Sequence, residues 1–301
     1  MTKNRPLFLS LAGCAGICLL LRIVLKLTAI DPATGFYEGG GALPLLFNVL
    51  LGASVLLLLA LGFLSGRKLR GASVAFTLPL RALSAAAGAA LFCRTLLRLG
   101  ELPGVLSADY PLMPKLLLCL FTLLFRLALP LVGACLFVRI AGAGDFTIPC
   151  GFRAFTADPD SALSDPHSGP GPRTLRINGW LMLLPLVWEI GELLSSFMAY
   201  TAIRNVSDQM LTIVMMILMA PFLLAHARIL SGVGVEKGLR QLLFFGPAFA
   251  LFAIAVPGGM IAAALAGKTV ALGLSPVSAV FYFLSGLYAA VLCLSLRRFA
   301  R

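Results

Sequence analysis

Eight apolar runs, each long enough to cross about 30 Å of hydrocarbon as a helix, dominate the chain and leave it almost no way to fold in water. They cover residues 7–25, 42–64, 73–93, 115–138, 177–203, 208–230, 241–263 and 276–296 of the 301. In lipid every backbone N–H and C=O must find its partner within the protein, so such runs read as helices. The expected fold is an all-α, polytopic integral membrane bundle with about eight transmembrane helices. Composition agrees, since 60% of the residues are hydrophobic and only 12% charged, against about a quarter charged in soluble domains. The seventh run contains Pro257, Gly258 and Gly259, which are able to break it into a span and a re-entrant piece, so the count falls between seven and nine.

The net charge of +12 does not mark a nucleic-acid binder, because no basic stripe with interleaved aromatics is present. The 24 Lys and Arg residues cluster between the runs, fifteen on one side, six on the other and three within spans. That bias puts the amino and carboxyl termini in the cytoplasm and favours an even number of spans. The expected location is a plasma membrane of bacterial type, with the lipid bilayer as the constant partner. Lys3 and Arg5 before an apolar stretch resemble a signal peptide, and Leu11-Ala12-Gly13-Cys14 a lipobox. Only a short apolar core precedes Cys14 and the run continues past it, so an uncleaved first helix is expected. Six of the seven cysteines lie in or at the end of apolar runs with no C-x-x-C pair, which fits packing residues better than disulfides or metal ligands.

Two connections are long. The one after the first run holds Asp31-Pro32, Phe36, Tyr37 and Gly39-Gly40-Gly41, either an interfacial aromatic belt or a gating loop. The other, residues 140–173, is dense in Gly, Pro, Asp and Ser and reads as a disordered cytoplasmic linker able to recruit a partner protein. The chain thus divides into four helices over 1–139, the linker, and four helices over 174–301, together one membrane domain. No internal repeat is clear enough to claim.

Charge inside a span costs about 3 kcal/mol on insertion scales and marks function by default. Arg81, Arg126, Glu189 and Glu192 are the candidates. Arg126 and Glu189 sit near the middle of their runs, Arg81 slightly inward, and Glu192 one turn outward of Glu189, so all four fall at similar depth. Glu189, Glu192, Ser196 and Tyr200 share one helical face, as do Thr122, Arg126, Pro130 and Gly133, and Thr77, Arg81, Ser84 and Gly88. Two carboxylates one turn apart repel, so one of them holds a proton unless cations lie near. Pairing with Arg126 or Arg81 gives either a coupling site or a static network that fixes helix packing. Pro79, Pro130, Pro185, Pro221, Pro247 and Pro257 each free a carbonyl within a run, a device found in transporter sites.

An enzyme is not expected. The two histidines, His167 in the linker and His226 at a run's end, make no H-E-x-x-H or H-x-x-x-H. The Glu189-x-x-Glu192 pair lacks histidine ligands for zinc. Ser65-Gly66 and Ser285-Gly286 lack a histidine at a depth that would activate a serine. No metal or cofactor is implied. The expected function is a small-solute or ion transporter, or the membrane subunit of one, with a midplane Glu/Arg site. The alternative is a non-transporting scaffold or sensor built on a structural charge network.

Overall fold

The computed structural model describes residues 5–30, 37, 41–66, 72–100, 103–104, 112–149, 175, 177–199, 206–268 and 274–298. Among them, eight helical rods are long and apolar enough to cross a membrane, and the chain is a multi-pass membrane bundle. The rods are α1 (Arg5–Thr28), α2 (Ala42–Gly66), α3 (Leu78–Leu99), a composite fourth rod, α6 (Gly179–Ala199), α7 (Val206–Ser231), α8 (Val235–Leu265) and α9 (Pro276–Leu294). The fourth joins α4 (Leu112–Phe121), a π-helical stretch (Thr122–Ala128) and α5 (Leu129–Gly142). Three short strands complete the described part: β1 (Ala72–Phe76), β2 (Phe146–Pro149) and β3 (Leu296–Arg298).

The outer faces stay apolar, with Leu56, Leu117 and Phe197 largely exposed, as lipid requires. At the centre stands α8, packed against α1, α2, α7 and α9. Contacts then run from α9 to α3, α3 to α5, α5 to α6 and α6 to α7, closing a ring of six rods from which α1 and α2 stand apart against α8. Small residues set the spacing, because without a hydrophobic drive between helices close van der Waals approach holds them together. A methyl group on Gly286 would lie 2.7 Å from Ala253 Cβ, and one on Gly88 3.1 Å from Ala134 O. The tight α7–α8 turn uses Gly232 and Gly234 at φ +77° and +64°, a conformation that favours glycine.

The structure departs from the sequence reading at several places, each for a local reason. Helix α8 runs unbroken through Pro257-Gly258-Gly259. Its glycines serve packing, since Cβ atoms there would meet Leu19 and Arg22 of α1 at 2.6 Å. The third span starts at Leu78, five residues later than hydropathy places it, because Pro79 stands in the first turn, where its missing N–H costs nothing. Ala72–Phe76 is instead the middle strand of an antiparallel sheet ordered β2-β1-β3. Phe76 and Phe146 stack across it with centroids 4.3 Å apart. The sheet ties together the start of α3 and the ends of α5 and α9. Part of the stretch expected as linker is therefore ordered, Ile140–Gly142 as helix and Phe146–Pro149 as strand. Residues 151–174 and Tyr200 lie outside the described residues.

The π-helical stretch sits directly before Pro130. Leu129 N–H reaches Leu124 O, five residues back. Proline has no N–H and its ring crowds the carbonyl four residues earlier, here that of Arg126. The wider turn accommodates that crowding.

Candidate functional site

The ring interior holds polar side chains that hydropathy alone would keep out. Glu189, midway along α6, is fully buried, and Tyr282 of α9 donates its hydroxyl to Oε2 at 3.3 Å. One turn on, Glu192 accepts from Arg94 Nη2 of α3 at 2.7 Å, with the two side chains 14% and 5% exposed. The Arg94 guanidinium carbon lies 5.1 Å from the Trp188 ring centre and 6.0 Å from that of Tyr282, within cation–π range. Trp188 in turn meets Phe281 edge-on at 5.6 Å. Cation, carboxylates and aromatics thus come from α3, α6 and α9, three rods that meet only in the tertiary fold.

The cluster does not satisfy itself. Arg94 Nε and Nη1, Glu189 Oε1, Trp188 Nε1 and Ser285 Oγ have no hydrogen-bond partner among the described residues. Each such buried group carries a desolvation cost of about 1–3 kcal/mol, more when charged. Beside it is a crevice too tight to admit a water molecule, lined by Arg94, Thr95, Arg98, Arg126, Pro130, Trp188 and Glu192.

Of the four residues singled out from the sequence, the structure brings Glu189, Glu192 and Arg126 to one locality. Arg81 lies elsewhere. Its Nε donates to Ala141 O at 2.8 Å and its Nη1 pairs with Asp145 at 3.1 Å, beside the sheet. Its helical face, with Ser84 donating to Phe137 O at 2.7 Å, lies against α5. The cation that does meet the glutamates, Arg94, escaped notice because the third run ends at Cys93 by hydropathy, whereas the helix continues to Leu99.

A second buried cluster was also missed. Arg22 and Lys26 of α1 both pair with Asp208 at the start of α7, and all three side chains are fully buried. Arg22 Nη1 also donates to Tyr37 Oη at 2.9 Å. The i, i+4 spacing of Arg22 and Lys26 was the available signal. Lys26 falls just past the end of the first run and counts with the outer charges, and Arg22, though within the run, stands too near its end to join the midplane candidates. His226 was also expected at that level, yet it is 3% exposed and shares a 2.7 Å hydrogen bond with Tyr288. It closes an apolar pocket between α5, α6 and α7, lined also by Gly133, Phe137, Met182, Pro185 and Leu223.

Among the described residues no three His, Cys, Asp or Glu side chains converge as metal ligands. The fold and the site together define a class: a polytopic α-helical membrane protein with a buried charge cluster on the inside of a helix ring. Comparison with known proteins gives no matching family model, no similar curated protein and no similar solved structure.

Proposed function

We propose that this protein moves a small solute or ion across a plasma membrane of bacterial type, with Glu189, Glu192 and Arg94 as the coupling site and Arg126 beside it. The positive-inside bias places both termini in the cytoplasm in this reading. The observation that carries it is the incomplete pairing inside the ring. Glu189 presents one carboxylate oxygen, and Arg94 two N–H groups, without a partner among the described residues. A charge network whose purpose is to fix packing gains from being fully satisfied. One that must exchange partners keeps open valences. Arg94 has two carboxylates within one turn of each other to choose between, and a proton or a solute on either one changes the choice.

The mechanism follows from that competition. When Glu192 holds Arg94, Glu189 depends on Tyr282 for its hydrogen bond. Neutralising Glu192, by a proton or by a bound ion, releases Arg94 toward Glu189 or toward a solute. That exchange moves α3 relative to α6, and the prolines of α6 and α8, Pro185, Pro247 and Pro257, supply hinges. The test is reconstitution of the purified full chain into liposomes on a solid-supported electrode, with a panel of ions and solutes applied by rapid exchange. Substrate-dependent charge movement supports the reading. Silence across the panel, together with unchanged flux of labelled solutes, removes it.

A second reading, a scaffold or sensor held by its charges, is favoured by one observation: the Arg94–Glu192 pair is closely packed and mostly shielded from water. In that case the part of the 140–173 stretch beyond β2 is where a partner protein docks.

A further inference from the structure

We infer that α9 carries a proton path, running from His226 through Tyr288, Ser285 and Tyr282 to Glu189. This path presupposes the coupling role proposed above for Glu189 and supplies its proton. Every serine and tyrosine of α9, Ser278, Tyr282, Ser285 and Tyr288, is buried, so these polar side chains face the inside of the bundle and none faces lipid. Polar groups within spans are expensive, and where they line up they mark ion and proton pathways. Two of these hydroxyls hold protonatable groups of neighbouring rods. Tyr282 Oη donates to Glu189 Oε2 of α6 at 3.3 Å, and Tyr288 Oη shares a 2.7 Å hydrogen bond with His226 Nε2 of α7.

Ser285 stands midway, three residues from each tyrosine, and each step rises about 4.5 Å along the helix. Its Oγ is buried and has no hydrogen-bond partner among the described residues. An unpaired buried hydroxyl costs stability, and alanine would fill the same place without that cost. Carrying a proton across the step is the use that remains. The line is hydrogen-bonded at both ends and open at Ser285, as a coupled system requires. A closed line would pass protons at all times, whereas an open one conducts only while side-chain motion brings Ser285 within reach of the tyrosines. A hydroxyl both accepts and donates, so a proton taken up at His226 sends the Nε2 proton to Tyr288. Tyr288 then passes its own proton to Ser285, Ser285 to Tyr282, and Tyr282 to Glu189 Oε2. One proton enters at His226, one ends on the Glu189 carboxylate, and every group between keeps its count.

The entry lies where a proton from water can reach it. His226 stands five residues before Ser231, the end of α7 that the proposed orientation makes cytoplasmic. It lines a pocket with room for about one water molecule. Among the described residues no charged side chain lines that pocket, and Arg228 of the same helix turns to Gln241. Glu189 is faced by Glu192 of its own helix, Arg94 of α3 and Tyr282 of α9, with Arg98 and Arg126 lining the crevice beside them.

The experiment is time-resolved infrared spectroscopy of the purified full chain in nanodiscs after release of a caged proton. The carboxylic-acid stretch that is missing in Glu189→Gln reports the proton's arrival. Ser285→Ala removes only the unpaired hydroxyl and is expected to melt no lower than the parent chain. In Ser285→Ala and in Tyr288→Phe the band should grow more slowly by about tenfold or more, and in Ser285→Ala it should reach its parent amplitude and keep its equilibrium pH titration. A merely structural role for these hydroxyls would move the melt and leave the rate alone. A rate unchanged in both variants, or no band that depends on Glu189 when the pH is lowered, overturns the path. Delivery along this line without any solute-coupled charge movement preserves the path and removes the transporter reading. Solute-coupled charge movement with the delivery rate unchanged in both variants does the reverse.

Discussion

Glu189 carries the account at the scale of single residues. Glutamine keeps the side-chain volume and an oxygen for the Tyr282 hydroxyl, so Glu189→Gln is expected to fold and to lose coupled movement. Arg94→Ala is a different experiment. It leaves Glu189 and Glu192 one turn apart without their cation, and breaking a buried pair by removing one partner costs about 3–5 kcal/mol. Unfolding of Arg94→Ala in mixed micelles, against Glu189→Gln, separates the two effects. The second cluster gives a matched prediction. Asp208→Asn strands Arg22 and Lys26 together in the interior and should also cost about 3–5 kcal/mol. Lys26→Met, close in volume, leaves Arg22 and Asp208 balanced and should change stability by less than about 1.5 kcal/mol. If Asp208→Asn is as stable as the parent chain in the same titration, the cluster does not hold α1 to α7.

Elements set where those residues can meet. Gly286 faces Ala253 across the contact of α8 and α9, and the nearest atoms to an added methyl include the Ala253 backbone carbon at 3.1 Å. Backbone cannot swing aside, so Gly286→Ala should cost about 1–3 kcal/mol through overpacking, seen as a lower midpoint in the micelle titration. Pro130→Ala restores the missing N–H and removes the reason for the π-helical stretch. The fourth rod should then gain a hydrogen bond to Arg126 O and about 1 kcal/mol of stability, read as a higher midpoint in the same titration. Apolar length and proline placement made the spans legible in the sequence, because lipid leaves a backbone few other choices. Their ends were less legible. Hydropathy ended the third run at Cys93 and hid Arg94, since a long side chain near a helix end reads as snorkelling whether it turns to the headgroups or into the bundle. The sheet was hidden for a similar reason: Ser73–Phe76 is apolar enough to pass as the start of a helix, and its pairing with Phe146–Pro149 on one side and Leu296–Arg298 on the other makes it a strand.

At the scale of the whole molecule, the ring of six rods around the Glu189 cluster explains why three of the four sequence candidates share a locality and Arg81 does not. Depth in the membrane is readable from position along a run. Which helix stands beside which is decided by small-residue contacts that no single run reveals, such as Gly88 against Ala134. The ring also separates the two readings of function, because a transporter must exchange partners within it and a scaffold must not. The most direct measurement takes one preparation of Glu189→Gln in liposomes and records both its melt and the charge movement evoked by any solute active in the parent chain. The account predicts an unchanged melt with charge movement abolished. An intact melt with full charge movement would contradict the central role of Glu189, and charge movement lost only together with the fold would leave the cluster a structural clamp.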